Sequence, residues 1–172
     1  SAAAAPAGAG AAAATDSVAL RAVADTNRIL GSPQAKVWLL IASDFQCPYC
    51  KVWHDQTFEA LRREYVETGK VRVAYLHYPL DQHPQALPAA EAAMCAGAQG
   101  RFWPYQTALF GTTERWGGAA DASPVYDSLA TAVGVDVARF RSCMQGRVMR
   151  SLVEADRDRM SRAGVRSTPS FF

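Results

Sequence analysis

The feature that most constrains this 172-residue chain is a short apolar segment that leads into two closely spaced cysteines. Residues 37–42 are all apolar, with β-branched side chains at Val37 and Ile41, which is typical of a strand buried in a parallel or mixed sheet. After a polar turn at 43–46, an amphipathic helical pattern begins at Cys47 and continues to about residue 68. The segment Cys47-Pro48-Tyr49-Cys50 is therefore predicted to form the first turn of a helix that directly follows a buried strand.

This placement favours redox chemistry at the two cysteines. At the N-terminus of a helix, unpaired backbone N–H groups and the positive end of the helix dipole stabilise a thiolate, which here would be that of Cys47. Pro48 has the fixed φ and the missing N–H that suit the first helical position. Cys50 follows one turn later, where it can form a small disulfide ring with Cys47 and resolve a mixed disulfide.

Two other interpretations of this cysteine pair remain open. One is half of a zinc site, but the remaining cysteines, Cys95 and Cys143, are single and far apart, and no two histidines have the spacing of zinc ligands. The other is a structural disulfide without redox function. The context of the motif favours the redox interpretation, and we predict no metal site.

The composition is that of one globular domain, with a length that allows a subdomain, and it argues against several other classes of protein. Hydrophobic residues make up 49% and charged residues 20% of the chain, and the formal net charge is only +2. The chain has no dense run of lysine and arginine next to aromatic side chains on which bases could stack, so nucleic-acid binding is not expected. The longest apolar run in the folded part has about six residues, against about 20 for a membrane-spanning helix.

Residues 1–15 are almost all alanine, interrupted by Pro6, Gly8 and Gly10. Because they carry no charged or aromatic residue, and because glycine and proline recur, we predict a disordered linker rather than an alanine-rich helix. The segment lacks the basic region of an intact signal peptide. We interpret it as the remnant of a cleaved signal or as a tether to a removed signal or membrane anchor.

The rest of the chain divides into three predicted parts. Residues 16–83 hold a β–α–β unit, with a weak edge strand near residues 18–22, the strand at 37–42 and a second strand at 71–76. A helix between two consecutive strands implies that the strands are parallel. Residues 84–164 show only helical patterns and form a helical domain, and residues 165–172 begin a further strand at Ser170.

Several motifs together resemble the DsbA-like branch of the thioredoxin superfamily. Besides the strand that leads into Asp-Phe-Gln-Cys-Pro-Tyr-Cys at 44–50, the landmarks lie at residues 30–33, 78–80, 83–84 and 100–105, and in Val-Arg-Ser-Thr-Pro-Ser-Phe-Phe at 165–172. A CxxC motif alone is common, but its combination with a later Thr-Pro is specific, and the resemblance covers about residues 28–172. It implies an α/β thioredoxin fold with an inserted α-helical domain.

The resemblance also implies a substrate-binding face. Thr168-Pro169 would form a cis peptide that faces Cys47, and the backbone there would pair with an extended substrate peptide. Phe45 and Gln46, which precede the motif, would line the same face. Tyr49 would also do so, although simple surface packing is an equal alternative for that side chain.

Cys95 and Cys143 fall in two different helices of the insertion, each beside an apolar stripe. A structural disulfide between them resembles a second bridge of some family members and would place the protein outside the reducing cytosol. The alternative is a pair of buried free thiols.

The chain departs from the family pattern at two places. Many relatives carry a buried acidic residue six positions before the first cysteine, and here that position is Ile41. Proton transfer from Cys50 would then depend on water or on Asp44, which speaks against efficient reductase or isomerase turnover. The family also continues past the position of Phe172 with a β-hairpin and a helix, so the sequence is expected to be incomplete at that end.

By resemblance, the predicted function is that of a thiol–disulfide oxidase in the periplasm or cell envelope, with Cys47 as the exposed nucleophile. The Cys47–Cys50 disulfide would be donated to exported proteins by a monomer that needs no other cofactor. A membrane quinone-linked partner, DsbB-like or vitamin-K-epoxide-reductase-like, would restore it. One alternative is a disulfide isomerase or reductase resembling DsbC and DsbG, for which residues 1–35 are too short to supply the dimerisation domain. The other is a redox-inactive peptide-binding or chaperone module.

Overall fold

The computed structural model describes the backbone of residues 7–172 and the side chains of residues 16–172. Its first half runs through α1 (Ala7–Asn27), β1 (Ile29–Leu30), β2 (Val37–Ser43), α2 (Pro48–Trp53), a π-helical turn (His54–Phe58), α3 (Glu59–Leu61), a second π-helical turn (Arg62–Val66) and β3 (Val71–His77). The second half runs through α4 (Ala86–Gly97), α5 (Phe102–Gly111), α6 (Thr113–Trp116), α7 (Ser123–Ala132), α8 (Val137–Gln145), α9 (Arg150–Arg162) and β4 (Ser170–Phe171).

A four-stranded mixed sheet carries the cysteine motif at the end of β2. The strand order is β1–β3–β2–β4, with β2 and β3 parallel and both outer strands antiparallel to their neighbours, so the predicted β–α–β unit is confirmed. β2 is buried at Ile41 and Ala42, but Val37 and Trp38 are exposed, and the prediction of a fully buried strand is wrong for these two. The Trp38 ring is covered by a neighbouring guanidinium instead, that of Arg72 at 4.7 Å.

The helical insertion is built around α4. Ten of the twelve residues of α4 are buried, and six of these ten are alanines, whose small side chains let neighbouring helices approach closely. α1, α5, α7, α8 and α9 all contact this helix. The insertion meets the sheet in an aromatic cluster that includes Phe45 of the redox turn, Tyr75 of β3 and Phe110 of α5.

A buried ion pair also joins the insertion to the sheet. Arg28, between α1 and β1, donates to the carboxylate of Asp156 on α9 and to the carbonyl of Tyr75, the latter at 3.2 Å. Asp156 accepts in addition the backbone N–H of His77 at 3.0 Å. Because the carboxylate has partners on both sides, it fixes α9 against the end of β3.

α1 contradicts two predictions for the N-terminal region. Residues 7–15, predicted as part of a disordered linker over 1–15, are helical, while residues 1–6 lie outside the described part of the chain. Alanine is the strongest helix former, and its long run outweighs the cost of about 1 kcal/mol at each glycine. The predicted edge strand near residues 18–22 is also helical, because Leu20 and Ala24 of α1 pack against the core of the insertion.

Candidate active site

Cys47 and Cys50 lie at the N-terminus of α2, as the motif predicts. Cys47 is the extended residue that precedes the helix, its carbonyl accepts the N–H of Lys51 at 3.1 Å, and Pro48 occupies the first helical position. Both cysteines are free thiols. Pro48 and Tyr49 are exposed, with Tyr49 74% accessible, whereas the two sulfur-bearing side chains turn inward.

Cys47 faces the loop that precedes β4. The Thr168–Pro169 peptide is cis, and the carbonyl oxygen of Thr168 lies 3.5 Å from Sγ of Cys47, where it can accept the S–H. This is the juxtaposition that the resemblance implies. Cys47 is nevertheless only 4% exposed, so its prediction as an exposed residue is wrong, because this carbonyl lies directly against the sulfur.

Cys50 is buried deeper than Cys47, and its environment suppresses ionisation. Burial raises the pKa of Cys50 to about 12, against the opposing effect of hydrogen bonding from the backbone N–H of Asp44 and from nearby hydroxyls. That N–H lies 3.5 Å from the sulfur. Cys50 is therefore a neutral thiol at neutral pH whenever the pair is reduced.

The carboxylate of Asp44 makes its hydrogen bonds within the surrounding loops and none to the sulfur of Cys50. One oxygen accepts the N–H of Gln46 at 2.7 Å, and the other accepts the N–H of Leu80 at 2.9 Å and lies 2.7 Å from Nδ1 of His83. Asp44 reaches Cys50 through its backbone N–H. The predicted role of this carboxylate in accepting the Cys50 proton therefore has no direct contact to support it.

Two residues predicted to line the substrate face make other contacts. Phe45 is 1% exposed and stacks on Tyr75 with ring centroids 5.2 Å apart, so its prediction as a substrate-binding residue is wrong: the ring gains more from burial against the insertion. Gln46 is half-buried, and its side-chain amide donates to the carbonyl of Gly117 and accepts the N–H of Gln85, both at 2.7 Å. The residue before Cys47 is thus tied to the insertion, and no sequence pattern pointed to Gln85.

Two hydroxyl-bearing side chains, Ser43 and Thr168, oppose the effect of burial on the pKa of Cys50. Sequence reasoning named Thr168 but missed Ser43. A usable signal was the alternation of the strand, which places Ser43 on the same face as the buried Ile41.

The other two cysteines are joined to each other. A disulfide links Cys95 of α4 to Cys143 of α8, with the Cα atoms 5.9 Å apart, as the resemblance implies. Within residues 7–172, no group of three histidine, cysteine or acidic residues is arranged to hold a metal ion. None of the helices in that range has the length and apolar character needed to span a bilayer.

Comparison with known proteins assigns the chain to a family. A family model described as thioredoxin matches residues 23–172. The chain belongs to the thioredoxin family. Since that match includes the cysteine motif, the sheet and the whole helical insertion, membership covers every element of the site described above.

Relatives of this thioredoxin-family chain carry different names. Na(+)/H(+) antiporter NhaA 3 of Salinispora tropica is 33% identical over 86% of this chain, but the match covers only 22% of that protein. Probable disulfide bond formation protein D of Bacillus anthracis is 25% identical over 86% of this chain and 69% of its own length. The chain thus spans 22% of the length of the first two curated relatives that it matches.

Solved structures share the fold. BdbD from Bacillus subtilis in its oxidised form superposes with a TM-score of 0.76 at 20% identity, covering 84% of this chain and 80% of that one. Alpha-DsbA1 of Wolbachia pipientis superposes with a TM-score of 0.73 at 24% identity, covering 84% and 73%. The predicted α/β thioredoxin fold with an inserted helical domain is confirmed, and so is the resemblance to DsbA-like proteins.

Proposed function

We propose that this protein is a thiol–disulfide oxidase that transfers the Cys47–Cys50 disulfide to reduced proteins. The observation that carries the proposal is a pair of free thiols at a helix N-terminus, with the sulfur of Cys47 3.5 Å from the carbonyl that precedes a cis-proline. The names of several relatives, which are probable disulfide bond formation proteins and putative protein-disulfide oxidoreductases, support the same chemistry.

In this proposal a substrate attacks the sulfur of Cys47. A substrate thiolate forms a mixed disulfide with Cys47 and breaks the Cys47–Cys50 bond, and the electron pair leaves on Cys50, which then takes up a proton. A second substrate thiolate attacks the substrate sulfur of the mixed disulfide, and Cys47 leaves as the thiolate. The helix N-terminus favours that last leaving group, whereas Cys50, with its pKa of about 12, stays protonated between turnovers.

The proposed substrate face surrounds the exposed side of the motif. Tyr49 and Val52 of α2 are exposed one turn apart, and Phe171 of β4 is exposed on the strand that follows the cis peptide. Exposed apolar side chains around a reactive centre suit an unfolded chain, whose own apolar side chains are accessible. The backbone at Thr168–Pro169 would pair with that chain as an added strand.

The proposed setting is an extracytoplasmic compartment, periplasm or cell envelope, where the substrates are reduced exported proteins. The Cys95–Cys143 disulfide supports an oxidising environment. Each turnover leaves the dithiol, so a second oxidant must restore the disulfide, and we propose a membrane quinone-linked partner that is DsbB-like or vitamin-K-epoxide-reductase-like. The protein would act as a monomer and would use its disulfide as the sole redox group.

The test is stoichiometric oxidation of a reduced, unfolded substrate such as ribonuclease A. The oxidised protein should introduce disulfides into the substrate while its own Cys47–Cys50 pair becomes reduced. Cys47→Ser should abolish the transfer, whereas the control Cys95→Ala/Cys143→Ala should retain it as long as it is folded. Substrate binding without oxidation by the wild-type protein would instead identify a redox-inactive peptide-binding module.

A further inference from the structure

A backbone N–H donates to the sulfur that must carry charge when the disulfide opens. Cys50 is 1% exposed, and the N–H of Asp44 lies 3.5 Å from its Sγ. In the oxidase reaction this sulfur leaves the disulfide with a negative charge, which is costly at a buried position. An N–H that stays directed at the sulfur lowers this cost, because hydrogen bonds to a charged acceptor are stronger than those to a neutral one.

The direction of this N–H depends on the turn at residues 44–47. The carbonyl of Asp44 accepts the N–H of Cys47 at 3.2 Å, and one carboxylate oxygen of Asp44 accepts the N–H of Gln46 at 2.7 Å. A side chain that accepts the N–H two residues later forms an Asx turn, which fixes the backbone around it. Rotation of the carboxylate would therefore loosen the turn and redirect the N–H that faces Cys50.

The other carboxylate oxygen of Asp44 is held by the segment that leads into the helical insertion. It accepts the N–H of Leu80 at 2.9 Å and lies 2.7 Å from Nδ1 of His83. The N–H of His83 donates to the carbonyl of Leu80 at 3.0 Å, so one turn carries both partners. Because an ionised carboxylate only accepts hydrogen bonds, Nδ1 of His83 carries the proton in this contact.

His83 is the partner of this carboxylate that a substitution can remove. The donors from Gln46 and Leu80 are backbone groups, whereas that from His83 is a side chain. The side chain of Asp44 is completely buried, so water does not readily replace a lost donor, and the carboxylate would turn towards its remaining partners. The contact with His83 therefore couples the start of the insertion to the sulfur of Cys50.

We infer that the N–H of Asp44 stabilises the sulfur of Cys50 as it leaves the disulfide, and that His83 holds this N–H in place through the carboxylate of Asp44. The inference rests on the proposed function. It adds a catalytic group, the N–H of Asp44, which touches the reacting sulfur, and a positioning residue, His83. When a thiolate bonds to Sγ of Cys47, the Cys47–Cys50 bond breaks and its electron pair stays on Cys50. The N–H keeps its proton, and Cys50 takes one from water, which replaces the proton that the attacking thiol released.

The experiment measures the rate at which dithiothreitol reduces the Cys47–Cys50 disulfide at pH 7. His83→Leu should be reduced about fivefold more slowly, the factor that corresponds to the loss of one ordinary hydrogen bond. His83→Asn should restore the wild-type rate, because asparagine carries an amide N–H at about the position of Nδ1. His83→Gln should not restore it, because glutamine carries its amide at about the position of Nε2.

His54 provides the matched control, because it makes the same kind of contact away from the turn. Its Nδ1 lies 3.1 Å from a carboxylate oxygen of Asp55, and its side chain is 10% exposed, against 18% for His83. Neither His54 nor Asp55 bonds to the turn at residues 44–47 through its side chain. His54→Leu should therefore be reduced at the wild-type rate, even if it is less stable.

Hydrogen exchange at the Asp44 amide, followed by NMR in the reduced protein, tests the positioning role directly. The exchange should be about fivefold faster in His83→Leu and unchanged in His83→Asn and His54→Leu. If His83→Leu does not fold, the comparison of His83→Asn with His83→Gln decides alone. Equal reduction rates in these two variants, a wild-type rate for a folded His83→Leu, or the same slowing in His54→Leu would overturn the inference.

These outcomes are distinguishable from failure of the proposed function. Reduction by dithiothreitol needs only the Cys47–Cys50 disulfide and no protein substrate. A protein that forms this disulfide but does not oxidise ribonuclease contradicts the oxidase proposal, while the rates of the His83 variants still decide the role of the histidine.

Discussion

Replacing Asp156 by asparagine should destabilise the protein far more than replacing an exposed partner of the same helix. Asp156 and Arg28 are both buried, and the carboxylate also accepts the N–H of His77 at 3.0 Å. Asparagine keeps the size of the side chain but removes its charge. Arg28 would then remain buried without its main counter-ion, which is the costly part of the change.

The size of the stability loss depends on the charges that remain around Arg28 in the variant. Removing one partner of a buried ion pair costs about 3–5 kcal/mol. Asp25 also pairs with Arg28 and is about half exposed, so it compensates in part, and we expect a loss at the lower end, about 3 kcal/mol. For a protein of this size, 1 kcal/mol corresponds to about 2–4 °C, so the melting temperature should fall by about 6–12 °C.

Urea unfolding at pH 7 provides the assay, and Asp81→Asn is the matched control. Asp81 is 83% exposed in its side chain and pairs with Arg157 of α9 at 2.7 Å, so its loss should cost no more than about 1 kcal/mol. The double variant Arg28→Met/Asp156→Leu should cost less than Asp156→Asn, because it removes both charges together. A free energy of unfolding for Asp156→Asn within about 1 kcal/mol of the wild-type value would show that the buried pair does not hold α9 against β3.

Three further predictions concern stability. Removing the second bridge with Cys95→Ala/Cys143→Ala opens a loop with a sequence separation of 48 and should cost about 4 kcal/mol in urea unfolding; a cost below about 1 kcal/mol would contradict the loop-entropy argument. Gly31 has φ +107°, and a Cβ there would lie 2.7 Å from a carbonyl of β3. Gly31→Ala should therefore lower the free energy of unfolding by about 1–3 kcal/mol. An unchanged melting temperature would show that this turn relaxes freely. Burial, aided by the charge of Arg28, holds the pKa of His77 well below its usual value. Below about pH 6.5, His77 therefore becomes protonated in the unfolded chain but stays neutral in the folded protein. Stability should therefore be complete above about pH 7 and fall by about 1.4 kcal/mol at pH 5.5, and an equal decline in His77→Phe would show that another group causes it.

The parts of the molecule that the sequence predicts correctly are those decided by neighbouring residues. The placement of Cys47 before the helix and of Pro48 at its first position depends on neighbouring residues alone, and both positions hold. The parallel pairing of β2 and β3 follows from the intervening helix. The cis peptide at Thr168 and the disulfide at Cys95 came from family resemblance, since spacing cannot specify either one.

The parts that failed depend on contacts between distant segments. The burial of Phe45 is decided by Tyr75 and by α5, and nothing in the turn itself distinguishes an exposed aromatic ring from a buried one. The link from Gln46 to Gln85 and to residue 117 joins segments 39 and 71 residues apart, without any motif. α1 begins at Ala7, inside the predicted linker, because the helix propensity of the alanine run outweighs the glycines within it.

The most direct test of the oxidase account is the reduction potential of the Cys47–Cys50 pair, measured by equilibration against glutathione. A thiolate that is stabilised at a helix N-terminus makes the reduced form of a dithiol pair stable and its disulfide strongly oxidising, so an oxidase of this kind is expected to have a value near the ~−120 mV of a strong oxidant. A value near the ~−270 mV of thioredoxin would contradict it and would indicate a reductase that depends on its own supply of electrons.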